Sequence, residues 1–205
     1  MIKNIVFDMG QVLIRWTPQL MTSYLELPDE DAAMVEKELF RNVEWVQLDR
    51  GVISEEDAVC SVCNRLPEHL HEGVGRLVTG WWKWPLIPVD GMAELVRELK
   101  SMGYGIYLLS NASSHLHEYF HRIPGSEFFE GKVVSADLKL LKPQAEIFHT
   151  LYQKFDLNPA ECVFIDDAPA NAEGAIMTGM QSIVFHGDVS RLRQELRALE
   201  IMVSE

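Results

Sequence analysis

The chain has 205 residues, of which 47% are hydrophobic and 24% are charged, and its net charge is −13 at neutral pH. This composition is typical of a globular protein with one core, or one core and a small inserted domain. The negative charge argues against nucleic acid and anionic membranes as partners. No apolar segment is long enough to cross a bilayer, and three cysteines in a chain of this length indicate a reducing compartment, so we expect a cytoplasmic protein.

Short apolar segments rich in β-branched residues predict five strands. They span residues 4–8, 105–110, 132–135, 162–166 and 182–186. Helical spacing predicts helices over 91–102, ending at Gly103, and over 143–155, with Pro143 in the first turn. Strands that alternate with helices are typical of an α/β fold with a doubly wound, parallel, Rossmann-like sheet.

The first two predicted strands are separated by about a hundred residues, far more than one crossover needs. Signals for helix starts occur within this segment: Thr17-Pro18, Asp29 and a capping box that begins at Ser54. We therefore interpret residues 16–84 as a small α-helical cap domain. The catalytic core is then formed by residues 1–15 and 85–205.

Polar side chains are predicted at the carboxyl ends of the strands, the edge of a doubly wound sheet where ligands bind. They are Asp8, Ser110, Asn111, Asp166 and Asp167, with Lys142 before a following helix. This set suits phosphoryl transfer, because Asp8 can attack phosphorus and form an aspartyl phosphate. Ser110 and nearby N–H groups would hold phosphate oxygens, and Lys142, favoured over Lys139, would balance their charge.

Carboxylates beside a phosphate repel its oxygens, so the site needs a hard divalent cation. Mg²⁺ takes about one or two carboxylates together with water and phosphate oxygen. We expect Asp8 and Asp167 to hold Mg²⁺, with Asp166 as a further candidate ligand. Gly10 would let the backbone approach the metal and the phosphate closely.

Four segments resemble, in order and spacing, the motifs of the haloacid-dehalogenase-like (HAD) superfamily: FDMGQVL, LLSNAS, KPQAEIF and FIDDAPANAEGA. The predicted insertion resembles the helical cap of that family, and the Asp-x-Gly-Gln opening is similar to the branch that contains α-glucose-1-phosphate phosphatase. The resemblance implies an aspartyl nucleophile, Mg²⁺ and a small phosphomonoester substrate. It implies these roles: nucleophile and metal ligand for Asp8, phosphate and substrate loop for Ser110 and Asn111, phosphate lysine for Lys142, metal carboxylates for Asp167 and Asp166, and loop support for Asn171.

One position departs from the family pattern. Most phosphatases of the family carry a second Asp two residues after the nucleophile, which protonates the leaving group and then activates water. Here Gly10 occupies that place; its carbonyl can bind the metal, but it cannot transfer protons. Another group replaces the acid, or the leaving group needs little help, or turnover is weak. Gln11, a candidate for substrate contact, can orient water but is a poor proton donor.

Taken together, the motifs predict a Mg²⁺-dependent phosphatase of a small phosphorylated metabolite. A sugar phosphate is the preferred substrate class, because an anomeric oxygen is a less basic leaving group than an ordinary alkoxide. Two alternatives stay open: a catalytically weak binding or regulatory protein that keeps the fold, and a phosphomutase, against which Gly10 counts. The sequence carries no signal for an oligomeric state.

Overall fold

The computed structural model describes residues 1–204, and their strands form a five-stranded parallel sheet and a two-stranded ribbon. The strands are β1 (Asn4–Phe7), β2 (Ile14–Arg15), β3 (Ile87–Pro88), β4 (Gly105–Ser110), β5 (Gly131–Val134), β6 (Cys162–Asp166) and β7 (Gln181–Val184). The large sheet has the order β5-β4-β1-β6-β7, and all its neighbouring strands are parallel. The predicted doubly wound sheet is confirmed, with β1 at its centre.

Helices connect the strands and fill the long segment between β2 and β3. The α-helices are α1 (Pro18–Ser23), α2 (Asp29–Val35), α3 (Val43–Arg50), α4 (Glu55–Cys63), α5 (His71–Gly80), α6 (Met92–Ser101), α7 (Leu116–Tyr119), α8 (Ser135–Leu138), α9 (Ala145–Phe155), α10 (Pro169–Met177) and α11 (Val189–Ala198). A π-helical turn, Glu36–Phe40, continues α2. Within residues 1–204, no helix combines the length and apolar character that crossing a bilayer requires.

Both faces of the sheet are covered, which explains why its strands are apolar without alternation. Ile5 and Phe7 of β1 belong to a cluster with buried residues of α6 and α11. Val6, between them, points to the other face and packs with buried residues of α9 and α10. Successive side chains of a strand point to opposite faces, so a sheet buried on both sides needs continuous apolar runs.

The predicted cap segment is helical and leaves the core through the ribbon. β2 pairs antiparallel with β3, so the two connections run side by side. Leu39 and Leu77 of the segment belong to the same buried cluster as Ile5 and Phe7 of the sheet. The cap therefore packs as a continuation of one face of the core, and the boundaries at residues 16 and 84 stay a prediction.

Two of the predicted helix starts in the cap differ from the structure. Thr17 is confirmed as an N-cap, since its Oγ1 accepts a hydrogen bond from the N–H of Leu20 at 3.0 Å. Asp29 is the first residue of α2 and not its cap, because Pro28 occupies the cap position. Ser54 caps α4, but its hydroxyl donates to the Asp57 carboxylate, so the reciprocal half of a capping box is not formed.

An ion pair between the buried carboxylate of Glu44 and the exposed Arg65 holds the cap helices together. Glu44 of α3 is 4% exposed, and the guanidinium of Arg65 donates to both of its carboxylate oxygens, at 2.8 and 3.0 Å. The hydroxyl of Ser61 in α4 donates to the same carboxylate at 2.6 Å. The hydrogen bonds from Arg65 lower the pKa of Glu44 to about 2. This carboxylate therefore ties α3 to α4 and to the residues after it.

We predict that Glu44→Gln lowers the free energy of unfolding by about 1–3 kcal/mol at neutral pH, because the buried carboxylate loses its charge-assisted hydrogen bonds from Arg65. The folded pKa lies below its ordinary value of 4.5, so the stabilisation is complete above that pH and fades as the pH falls towards 2. Denaturant unfolding of both proteins at neutral and acid pH measures the difference. Glu56→Gln, at an exposed position of α4, is the matched control and should leave stability unchanged.

Candidate active site

Three polar side chains meet at the carboxyl edge of the sheet because β1 lies between β4 and β6. Asp8 directly follows β1, Ser110 ends β4 and Asp166 ends β6. The N–H of Asp8 donates to the carbonyl of Ile165 at 2.9 Å, so the ladder continues to the site itself. All three side chains are buried.

The ammonium group of Lys142 lies between two of these carboxylates. Its Nζ is 2.7 Å from Oδ1 of Asp8 and 2.7 Å from Oδ2 of Asp166, and it also donates to the carbonyl of Leu109 at 3.0 Å. Burial disfavours the charged ammonium, but the two carboxylates outweigh it and raise the pKa of Lys142. Burial raises the pKa of Asp8 to about 6, against the opposing charge of Lys142. Lys139, the alternative phosphate lysine, is exposed.

Asn111 fixes the backbone of Lys142. Its Nδ2 donates to the carbonyl of Lys142 at 3.1 Å, and its Oδ1 accepts from the N–H of Lys142 at 2.8 Å. The side chain of Gln144 accepts from the N–H of Leu141 at 2.8 Å, which holds the same segment as a turn. The predicted helical position of Pro143 is therefore wrong, because α9 begins only at Ala145.

Asp166 is occupied by protein donors. Besides Lys142, the Nδ2 of Asn171 lies 3.1 Å from each of its oxygens, and the N–H of Ala168 donates to Oδ1 at 2.8 Å. Asn171 thus lies where the loop-support role was predicted. The metal role of Asp166 stays a prediction, and these bonds leave Asp8 and Asp167 as the freer carboxylates.

The donor set fits a hard divalent cation. Ligand atoms of Asp8, Asp166 and Asp167 all lie within 4.8 Å of one another. Burial raises the pKa of Asp167, and the charge of Asp166 adds to it, so a cation would relieve the repulsion in this cluster. Oxygen ligands of this kind suit Mg²⁺. The predicted contact of the Gly10 carbonyl with the metal stays a prediction.

The remaining predicted residues surround this cluster. The Oγ of Ser110 is buried and has no hydrogen-bond partner within residues 1–204, and its role as a phosphate donor stays a prediction. The Oε1 of Gln11 accepts from the N–H of Trp16 at 2.8 Å, which secures the start of the cap. A Cβ added to Gly10 would meet nothing within 4 Å, and the φ of this residue lies outside the left-handed region, so the backbone does not require glycine here.

A cavity of about 430 Å³ lies between the strand ends and the cap. The core contributes mainly polar residues to its wall: Asp8, Gly10, Gln11, Asn111, Ser113 and Asp167. The cap contributes a mainly apolar and aromatic wall of Trp16, Pro18, Trp45, Leu48, Val78 and Trp81, together with the polar residues Thr17, Gln19, Asp49 and Glu55. A polar floor under a mainly apolar roof suits a ligand with an anionic head and an organic body.

Sequence reasoning missed two carboxylates in this cavity, Asp49 and Glu55. Glu55 pairs with Nε2 of His115 at 2.7 Å. Asp49 is half-buried at the end of α3, and burial raises its pKa well above the ordinary value, with the charge of Asp8 adding to the effect. No motif marks Asp49 in the sequence, since only the docking of α3 decides which of its acids faces the site.

A family model for haloacid dehalogenase-like hydrolases matches residues 2–179. The chain belongs to this family. Among characterised HAD proteins, a sesquiterpene phosphatase of Aspergillus oryzae is 28% identical over 184 residues, which cover 87% of each chain. Flavin mononucleotide hydrolase 1 of Arabidopsis thaliana is 24% identical over 78% of this chain and 63% of its own length.

The fold is shared with a solved structure of the same family. A HAD family enzyme from Bacteroides thetaiotaomicron, in complex with magnesium and inorganic phosphate, superposes with a TM-score of 0.70 at 22% identity. The superposition covers 94% of this chain and 99% of that one. The HAD fold recognised from the four motifs is thereby confirmed, whereas the branch within the family stays a prediction.

We predict that Lys142→Met lowers the free energy of unfolding by about 3–5 kcal/mol, because two buried carboxylates lose their shared counter-charge. Unfolding is measured with a chelator present, so that no cation replaces the ammonium group. Lys139→Met removes an exposed lysine three residues away and should change stability little. Equal stabilities of the two variants would contradict the central role given to Lys142.

Proposed function

We propose that this hydrolase is a Mg²⁺-dependent phosphatase that cleaves a small phosphomonoester through an aspartyl phosphate on Asp8. The observation that carries the proposal is the placement of the Asp8 carboxylate in the cavity wall, 2.7 Å from the ammonium group of Lys142 and beside Asp167. Both named relatives are enzymes that remove phosphate from an organic molecule or hydrolyse a nucleotide, which supports the same class of reaction.

The residues divide the chemistry between them. A carboxylate oxygen of Asp8 attacks phosphorus, and the bond to the leaving oxygen breaks. Lys142 and the free hydroxyl of Ser110 stabilise the charge on the phosphoryl oxygens. Bound by Asp8 and Asp167, Mg²⁺ would neutralise part of that charge. Water then hydrolyses the aspartyl phosphate and restores the carboxylate.

Two classes of organic group fit the cavity. A sugar phosphate, the class preferred from the sequence, would find polar partners in Gln11, Asn111 and Ser113, and indole faces for its ring. An apolar monophosphate is the second candidate, because tryptophan and aliphatic side chains make up most of the cap wall. The similarity to a sesquiterpene phosphatase favours this second class.

A panel of phosphomonoesters, assayed with Mg²⁺ and with a chelator, tests the proposal. We expect phosphate release that needs Mg²⁺. The substrates compared are glucose 1-phosphate, a prenyl monophosphate and flavin mononucleotide, and the highest kcat/KM identifies the substrate class. Sugar and prenyl esters separate the two substrate classes. Binding of these esters without turnover would instead favour the regulatory alternative, and transfer of phosphate between hydroxyls of one sugar would favour a phosphomutase.

Asp8→Asn tests the nucleophile. The amide cannot form the acyl phosphate, so we expect turnover to fall by about 10⁴-fold or more, as when a covalent nucleophile is removed. The thermal unfolding midpoint reports whether the variant is folded. Asp156→Asn, at an exposed position after α9, is the control and should keep full activity. Phosphoenzyme detected by mass spectrometry in Asp8→Asn would refute the assignment.

A further inference from the structure

Four carboxylates line the cavity within residues 1–204, and two of them are paired with basic side chains. Asp8 pairs with Lys142 and Glu55 pairs with His115, whereas Asp167 belongs to the candidate metal cluster. The carboxylate of Asp49 has no hydrogen-bond or ion-pair partner in the part of the chain that the structure describes. A partner-free acid in the wall of an active site is available to the substrate.

The face of α3 that carries Asp49 is turned to the cavity. Trp45, Leu48 and Asp49 stand at helical spacing and all three line the cavity wall. Glu44, on another side of the same helix, is turned to Arg65 inside the cap. The orientation of Asp49 is therefore set by a helix that lines the cavity on one face and is held to Arg65 on another.

The end of α3 is also anchored to the core. The hydroxyl of Ser135 donates to the backbone carbonyl of Asp49, and it accepts from the N–H of Ala112 at 2.9 Å. Gly51, in the left-handed conformation with a φ of 72°, lies against α8. A Cβ added to it would be 2.5 Å from the carbonyl oxygen of Ala136. Asp49 thus belongs to the cap in sequence, but its backbone is fixed to the loops of the catalytic site.

We propose that Asp49 is the general acid and base of this enzyme. It would replace the second aspartate of the family pattern, whose position is occupied by Gly10 in this chain. The inference rests on the proposed phosphatase function and names the proton donor for it. In an in-line displacement the leaving oxygen lies on the side of phosphorus opposite the attacking Asp8. That side faces the cap, from which Asp49 enters the cavity.

The proton balance is simple. As the Asp8 oxygen bonds to phosphorus, the P–O ester bond breaks and its electron pair stays on the leaving oxygen, which takes the proton of the Asp49 carboxyl. The Asp49 carboxylate then accepts a proton from the attacking water, whose oxygen bonds to phosphorus as the bond to Asp8 breaks. Inorganic phosphate leaves, and both aspartates return to their starting states.

The other groups near the leaving side are less suitable. Gln11 has no acidic proton, and its side-chain oxygen is held by Trp16. Glu55 is already paired with Nε2 of His115, whose Nδ1 contacts Glu118. The raised pKa of Asp49, caused first by burial, favours a carboxyl group that carries a proton at the start of the reaction.

Asp49→Asn, assayed as full-length enzyme with Mg²⁺, tests the proposal through esters of graded leaving-group basicity. Proton donation contributes about 10²–10⁴-fold, so kcat/KM for a primary alkyl phosphate should fall by that factor. The fall should be far smaller for 4-nitrophenyl phosphate, because nitrophenolate leaves without a proton. The variant also lacks the base that activates water, so hydrolysis of the aspartyl phosphate should be slow. The nitrophenyl ester should therefore give a burst of nitrophenolate followed by slow turnover. Asp49→Ser repeats the comparison with a smaller side chain, and thermal unfolding checks that both variants fold.

Restoring an acid at Gly10 tests the same role from the other side. A side chain at this position meets open space, so Gly10→Asp in the Asp49→Asn enzyme should recover part of the lost activity towards alkyl phosphates. Glu55→Gln is the matched carboxylate variant of the cap and should change kcat/KM by a similar factor for both kinds of ester. A purely structural role of Asp49 would give that same uniform change.

The outcomes separate the inference from the function on which it rests. Absence of phosphate release by the wild-type enzyme from every ester would overturn both. An active wild-type enzyme with an unchanged leaving-group dependence in Asp49→Asn and Asp49→Ser would overturn the role of Asp49 alone. If kcat/KM depended more steeply on leaving-group basicity in Glu55→Gln but not in the Asp49 variants, Glu55 would be the proton donor. That result would also overturn the role of Asp49.

Discussion

The buried ammonium group of Lys142 is the interaction on which the site depends. A chain with a net charge of −13 brings three carboxylates to one edge of its sheet, and the repulsion between the two buried ones, Asp8 and Asp166, must be offset. Lys142 contacts Asp8 and Asp166, the acids that follow or end two neighbouring strands, and so joins the central strand to its neighbour. Hydrogen bonds from Asn111 hold the backbone of Lys142 in place, and a hydrogen bond from Asn171 holds the carboxylate of Asp166.

The cap completes the site instead of merely covering it. Its tryptophans form the roof of the cavity, and its buried side chains belong to the same apolar cluster as one face of the sheet. The bond between Ser135 and the Asp49 carbonyl fastens one cap helix directly to the core. The proposed recognition of the organic group and the proposed proton transfer therefore share one wall, whereas the residues proposed to bind phosphate and metal belong to the core.

Much of the fold could be predicted because the signals for it are local or periodic. The predicted ranges of the five strands in the large sheet lie within two residues of the observed ends, and the central strands β1, β4 and β6 are nearly continuous buried apolar runs. The errors concern helix starts, where a tertiary contact or the preceding residue overrides the expected local preference. Pro143 was assigned to a helix, but the bonds of Asn111 and Gln144 hold its neighbours in a turn; Asp29 was assigned as a cap, but Pro28 takes that position.

The sequence by itself determined the family, the parallel sheet and the polar groups at the strand ends, because β1, β4 and β6 each end at or beside a polar residue that belongs to an ordered motif. It also showed that Gly10 cannot transfer a proton. Only the tertiary structure decided that Lys142 contacts Asp8 and Asp166, and that Asp49 faces the cavity whereas Glu44 of the same helix does not. The sequence of a helix does not show which of its polar residues faces a cavity. In α3, the contacts with the core and with Arg65 determine that Asp49 is on the cavity side.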